Sequence, residues 1–260
     1  MKKNIKTILI LTALLAICFS LTGCDSAGDN DTEVRAAAKQ VSESFVQAFN
    51  AGDIGTCVSL LNNDKIQLWE KGYQKINHKG IVEAQEFLKK EMAVGRQWEF
   101  DSYKDYSSNK EYTVTMLIKE TGLDYTLAGV DMIGSEFTFT VKDGKITKMY
   151  IFVKAKTYEK FATNTAGTIG VELVTANGKT TIDKLLATSP AAEAGLLIGD
   201  EITAINGNNC ADMQSMEAQL RTKGTIGSKV VLTVKKAATG ETADVELVRV
   251  DAKKLAKENK

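Results

Sequence analysis

Val34, Ala38, Val41, Phe45, Ala48 and Phe49 recur every three or four residues, the period of one helix face, so the spacing predicts an amphipathic helix over residues 33–50. Asn50-Ala51-Gly52-Asp53 stops it, with Gly52 suited to a left-handed cap. A second short helix is expected over residues 54–61, and Ile81, Ala84, Leu88 and Met92 mark a third over residues 80–94. The period then falls to two. Tyr112, Val114, Met116 and Ile118 alternate with Thr113, Thr115, Leu117 and Lys119, and Phe137, Phe139 and Val141 repeat the pattern. Asp143-Gly144 reads as a two-residue hairpin turn, both positions of which need positive φ, and the chain returns through residues 146–153. Trp98, Phe100 and the stretch 103–106 suggest one more strand. Helices followed by long antiparallel strands predict an α+β domain with its helices on one face of a curved sheet.

This element order, with the phrase FVQAFNAGD at 45–53, resembles the nuclear transport factor two-like (cystatin-like) superfamily over residues 33–158. The resemblance implies a cone, which in that superfamily often encloses an apolar pocket and pairs with a second copy. Trp69, Tyr73, Trp98, Tyr112 and Phe139 are candidates to line such a pocket, although aromatics at these spacings are more often core. Asp101, Asp105 and Asp124 lie near strands, which does not make them catalytic, and no catalytic residue is assigned.

Residues 162–167 (ATNTAG) are small and polar, and a linker is expected at 159–166. Beyond it stand SPAAEAGL at 189–196, IGDEI at 198–202 and ING at 205–207. Pro190 can open a short helix where its missing N–H costs nothing, Gly195 can end that helix, and Asn206-Gly207 makes a tight turn. At this spacing residues 167–250 resemble a PDZ domain of the kind found in C-terminal processing peptidases and high-temperature-requirement proteases. That implies a mainly-β domain with two short helices. It places Thr168-Ile169-Gly170-Val171 at the carboxylate-binding loop, where successive backbone N–H groups capture a peptide's terminal carboxylate. The ligand strand would pair along Val171, Glu172, Leu173 and Val174, opposite a helix presenting Met213, Met216 and Leu220. Ile169, Val171, Met216 and Leu220 would form the apolar pocket for the last side chain. Thr168 replaces the motif's first glycine, and the groove helix lacks the histidine that selects Ser or Thr in the ligand. An apolar C-terminus is therefore expected.

The N-terminus adds an address. Lys2, Lys3 and Lys6 precede an apolar run too short for a membrane span, ending in Leu21-Thr22-Gly23-Cys24. This resembles the bacterial lipobox. It implies a signal peptide at 1–23, lipidation of Cys24, a polar tether at 24–32, and anchorage on the outer face of the cytoplasmic membrane. Cys57 and Cys210 then remain, either as an interdomain disulfide or as two small buried thiols.

Several function classes drop out. The chain carries 33 basic and 33 acidic residues, and loss of Lys2, Lys3 and Lys6 gives 30 − 33 = −3, so nothing favours nucleic acid. One histidine and no CxxC argue against a metal, and no cofactor is expected. His78 is read as a surface loop residue without a nucleophile beside it, and only residues 251–260, read as a charged solvated tail, follow the second domain. Protease activity is not expected. The reading is a lipid-anchored, non-enzymatic adaptor or sensor for C-terminal or extended segments of envelope proteins. A first domain that binds or transforms a small molecule and is recruited to a complex by the second, and a purely structural role in envelope assembly, are the alternatives.

Overall fold

The computed structural model describes residues 27–71, 75–109 and 111–259; the expected signal peptide and Cys24 lie outside the described residues. The first domain runs α1 (Ala27–Asn50), α2 (Ile54–Leu60), β1 (Gln67–Lys71), β2 (Lys75–Lys79), α3 (Gly80–Ala93), β3 (Gln97–Asn109), β4 (Glu111–Thr121), α4 (Leu123–Leu127), β5 (Ile133–Lys142), β6 (Lys145–Val153) and α5 (Ala155–Asn164). Its sheet has the order β2-β1-β6-β5-β4-β3, antiparallel throughout except for the parallel pair β1–β6.

The inward phases of the strands meet the apolar face of α1. Val114, Met116 and Ile118 from β4, and Phe137, Phe139 and Val141 from β5, close on Phe45, Phe49 and Trp98. Trp98 stacks on Phe49 with ring centroids 3.4 Å apart and is met edge-on by Phe137 at 4.9 Å. Each such side chain removed from water contributes roughly 1.5–3 kcal/mol, which is why the pattern of alternation dictates the sheet. Asp143 and Gly144 both take positive φ (51° and 69°), the two-residue turn expected between β5 and β6.

Three expectations need correction here. α1 begins at Ala27, inside the expected tether, where acidic residues suit an N-terminal turn. The polar strands β1 and β2 have no apolar alternation to reveal them, and His78 stands in β2 opposite Leu68, its ring 5.2 Å from that of Phe87, rather than in a surface loop. Most of the expected linker is helical. α5 lays Tyr158 and Phe161 on Tyr125, Ala128 and Val130, and Asn164 Nδ2 donates to Ala128 O at 2.7 Å.

The second domain contains β7 (Gly167–Thr168), β8 (Val171–Ala176), β9 (Lys179–Leu185), α6 (Pro190–Glu193), β10 (Glu201–Ile205), β11 (Asn208–Asn209), α7 (Ser215–Thr222), β12 (Lys229–Lys235), β13 (Thr242–Val248), β14 (Val250–Asp251) and α8 (Ala252–Glu258). Its main sheet has the order β13-β12-β10-β9-β8, with β11 paired to β10, and a two-stranded ribbon joins β14 to β7. α8 corrects the reading of 251–260 as a solvated tail. Asp251 caps it, accepting from the backbone N–H of Lys253 and Lys254, and Leu255 is 2% exposed. Cys57 and Cys210 are free thiols buried in separate cores. Burial pushes the Cys57 thiol up to about 12 and raises that of Cys210 as well.

Candidate functional site

The motif that identifies the second domain is its scaffold. Ser189 Oγ accepts from Ala192 N–H at 3.2 Å to cap α6, with Pro190 at the first helical position. Asp200 is buried and accepts from the backbone N–H of Leu197 and Ala237, both at 3.0 Å, and from Lys236 Nζ at 3.0 Å. Asn206 Oδ1 accepts from Val231 N–H at 2.9 Å. These side chains fix turns and leave the groove to others.

The groove lies between β8 and α7, with α8 closing the loop end, and holds about 580 Å³. Thr168, Gly170, Val171, Glu172, Leu173 and Met216 line it, joined by Lys184, Leu186, Ser215, Gln219, Lys223, Ala252 and Ala256. Gly170 takes φ +81°, and a Cβ there would come within 2.2 Å of Ser189 Cβ and 3.1 Å of Leu255 Cδ2. Only glycine lets the loop pass between α6 and α8.

Ile169, Met213 and Leu220 do not line it. Ile169 is fully buried and Met213, which precedes α7, also belongs to the core. Of α7 itself Ser215, Met216 and Gln219 line the groove, Lys223 stands just past its end, and Leu220 is not in the lining. Choosing the apolar member of the Gln219–Leu220 pair by hydrophobicity picks the wrong residue.

Gln219 has a defined task. Its Oε1 accepts from Leu173 N–H at 2.9 Å, and its Nε2 donates to Val171 O at 3.1 Å. Ser215 Oγ accepts from Thr175 N–H at 2.7 Å. Val171, Leu173 and Thr175 thus turn backbone groups away from β9 and toward α7, and side chains of α7 occupy them. The Gln219 amide thus occupies the Val171 O and Leu173 N–H that the backbone of an added strand would bond.

The first domain contains a second arrangement of chemical interest. Glu120 ends the inward phase of β4, opposite Trp98 in the register of β3, and is 4% exposed. Ser135 Oγ donates to it. Burial dominates and pushes its carboxyl up to about 7, against the lowering effects of the Ser135 bond and the Arg96 charge. Arg96 bonds Glu91 and Asp124, both at 2.8 Å, and its guanidinium lies 3.7 Å from the Tyr125 ring centroid. A cavity of about 190 Å³ touches Glu91, Arg96, Glu120, Asp124, Tyr125 and Tyr158.

Asp124 therefore belongs to a buried ion pair, while Asp101 pairs on the surface with Lys119 at 2.8 Å. The side chains of Asp105 and Tyr73 lie outside the described residues. Trp98 and Phe139 are core, Trp69 stacks on Tyr150 at 4.4 Å, and Tyr112 borders a shallow hollow beside Val34. Among the described residues no group of His, Cys, Asp and Glu could hold a metal ion.

Comparison with known proteins places the second domain. The PDZ domain family matches residues 167–247. Syntenin-1 of Homo sapiens is 35% identical over 69 residues, which is 26% of this chain and 23% of its own length. A carboxy-terminal-processing protease of Bartonella bacilliformis is 28% identical over 96 residues, 37% of this chain and 22% of its own length. The chain thus spans less than a quarter of the length of the curated relatives it matches.

Among solved structures, the PDZ domain of a carboxy-terminal protease from Vibrio cholerae in complex with peptide is 28% identical, with a TM-score of 0.30, covering 33% of this chain and 95% of that one. A protein of unknown function with a cystatin-like fold from Xanthomonas campestris is 22% identical, with a TM-score of 0.38, covering 48% and 95%. The second domain is a PDZ domain, and the first is an α+β domain of helices on a largely antiparallel sheet.

Proposed function

We propose that this chain is a lipid-anchored, non-enzymatic adaptor or sensor of the extracytoplasmic membrane face, whose PDZ groove receives a C-terminal or extended segment of another envelope protein. The observation that carries this reading is the groove edge of β8. Its Val171, Leu173 and Thr175 backbone groups are already satisfied by side chains of α7 in the manner of a paired strand. A peptide laid antiparallel on β8 replaces those side chains bond for bond, and its last side chain meets Met216, Leu186, Ala252 and Ala256. The peptide-bound relative from Vibrio cholerae supports the reading, as does the lipobox-like LTGC at 21–24 for the anchor.

The test is fluorescence anisotropy of labelled peptides ending in Leu, Val or Ala against the full chain and its Gln219→Ala variant. Such peptides are expected to bind reversibly. Removing the internal competitor should tighten binding about tenfold, since two net hydrogen bonds at roughly 0.5–1.5 kcal/mol each no longer have to be exchanged. Absence of binding to both proteins would sink the reading. Weaker binding by the variant would mean that Gln219 holds the ligand rather than its place.

The cavity at Glu120 favours a second reading, in which the first domain holds a small molecule and the PDZ domain recruits it to a complex. A neutral buried carboxyl beside Arg96 can donate to a carbonyl or hydroxyl oxygen. α4, which carries Asp124 and Tyr125, also lies against α7, so an element bordering the cavity touches one bordering the groove. A ligand there changes the fluorescence of Trp98. A screen of small carbonyl and hydroxyl compounds that moves no tryptophan signal rules it out.

A further inference from the structure

We propose that α8, which lies beyond the residues matching the PDZ family, is a fixed wall of the groove, and that Ala256 on it makes the groove select a bulky apolar last residue over a small one; this rests on the peptide-binding reading above.

The helix sorts its residues by face. Ala252, Leu255, Ala256 and the following Asn259 recur at the three- and four-residue steps of one helical face, while Lys253, Lys254, Lys257 and Glu258 are exposed. That face is docked at both ends. Ala252 N–H donates to Ala166 O at 3.0 Å, where β14 pairs with β7. At the far end Asn259 Nδ2 donates to Thr188 Oγ1 at 2.8 Å, and Asn259 Oδ1 accepts from Thr188 N–H at 3.4 Å. Leu255 is buried between them, beside Gly170. Moving α8 aside would break these contacts together, so the wall does not retreat to suit a ligand.

Ala252 and Ala256 are what α8 presents to the groove, beside Leu186 and Met216. Leu186 and Ala256 are exposed and Met216 is half-buried, so this end of the groove is apolar and open. The strand edge decides what enters it. A segment antiparallel to β8 runs toward Val171 as it nears its own C-terminus, so the side chain arriving here is its last.

The wall then sets the size of that side chain. Methyl groups at 252 and 256 leave room for a long apolar residue against Leu186 and Met216. Each methylene that a ligand buries there is worth about a fourfold gain in affinity, and Leu has three more carbons than Ala. Replacing Ala256 with leucine spends the same three carbons on the wall instead. The position is exposed, so the fold has no reason to reject the change.

The experiment measures fluorescence anisotropy of the full chain with two labelled peptides identical except for a last Leu or Ala. The wild type is expected to favour the Leu-ended peptide by about tenfold or more. Ala256→Leu should weaken that peptide about tenfold and the Ala-ended one by no more than about twofold, which shrinks the preference to about threefold or less. Lys257→Leu places the same side chain on the exposed face of α8 and should keep the wild-type preference. If Ala256→Leu keeps that preference, or weakens both peptides equally, α8 does not set the size of the last residue. The inference then fails while peptide binding stands. Equal binding of the two peptides by the wild type, or loss of the preference in Lys257→Leu as well, overturns it likewise. If the wild type binds neither peptide, the underlying reading fails with it.

Discussion

Between about pH 4.5 and pH 7 the first domain is expected to lose about 3 kcal/mol of stability through Glu120. The carboxyl moves from an ordinary 4.5 to about 7 in the folded chain, with burial as the main cause. Because the folded value lies above the unfolded one, the folded state holds an extra proton between them. Stability is therefore full below about 4.5, falls as pH rises through the window, and levels off above about 7. Asp53 and Asp101, lowered by their hydrogen bonds to Thr56 and Lys119, lose their contribution as pH falls and act below the window. Both tryptophans, Trp69 and Trp98, lie in this domain, so urea denaturation followed by tryptophan fluorescence reports it selectively. Glu120→Gln keeps an acceptor for Ser135 and removes the proton, and should flatten the profile. A wild-type profile as flat as that of the variant would mean that Arg96 holds Glu120 ionised throughout.

The same residue shows what the sequence could have told. Tyr112, Val114, Met116 and Ile118 define the inward phase of β4, and Glu120 is the next member of that series. Periodicity alone marks it as an acid aimed at a core, which is the signal for a displaced pKa. Arg96 gives no such signal, because its partners Glu91 and Asp124 come together only through the meeting of α3 and α4. Where burial repeats at 2.0 or 3.6 residues, the elements were legible: α1, α3 and β4 to β6 follow their apolar positions closely. β1, β2 and α8 are short and mostly polar, so their place is decided by pairing and docking and leaves little mark on composition.

The groove divides in the same manner. Thr168, Gly170, Val171 and Met216 are visible because loop and strand follow a known spacing, whereas Gln219 is a polar residue on a helix face, where polarity ordinarily means solvent. Its role comes from a backbone edge 46 to 48 residues away in sequence. Hydrophobicity finds the walls of such a site, and the donors and acceptors that give it specificity appear only once the register is known.

Replacing Gly170 with alanine is expected to have the largest effect of any single methyl group in the second domain. Two costs coincide. The backbone sits at φ +81°, where an L side chain is strained by about 1 kcal/mol or more. The new Cβ would also meet Ser189 Cβ at 2.2 Å, a distance no packing tolerates. Ser189 cannot step aside, since it is buried and caps α6. Leu255, on the other side at 3.1 Å, can move only by undocking α8. Overpacking of this kind typically costs about 1–3 kcal/mol, so a total of roughly 2–4 kcal/mol is expected, with the loop displaced even in molecules that stay folded. Residues 167–260 contain no Trp, Tyr or Phe, and fluorescence is blind to this domain. The two buried thiols, Cys57 and Cys210, supply the readout, one in each core. Pulse labelling resolved by mass spectrometry should show Cys210 reacting about 30-fold faster or more in Gly170→Ala, the factor that 2 kcal/mol gives, with Cys57 unchanged. Equal protection of Cys210 in both proteins would show that the loop yields at little cost, and that the close passage of Gly170 between α6 and α8 is not what holds the loop end of the groove in place.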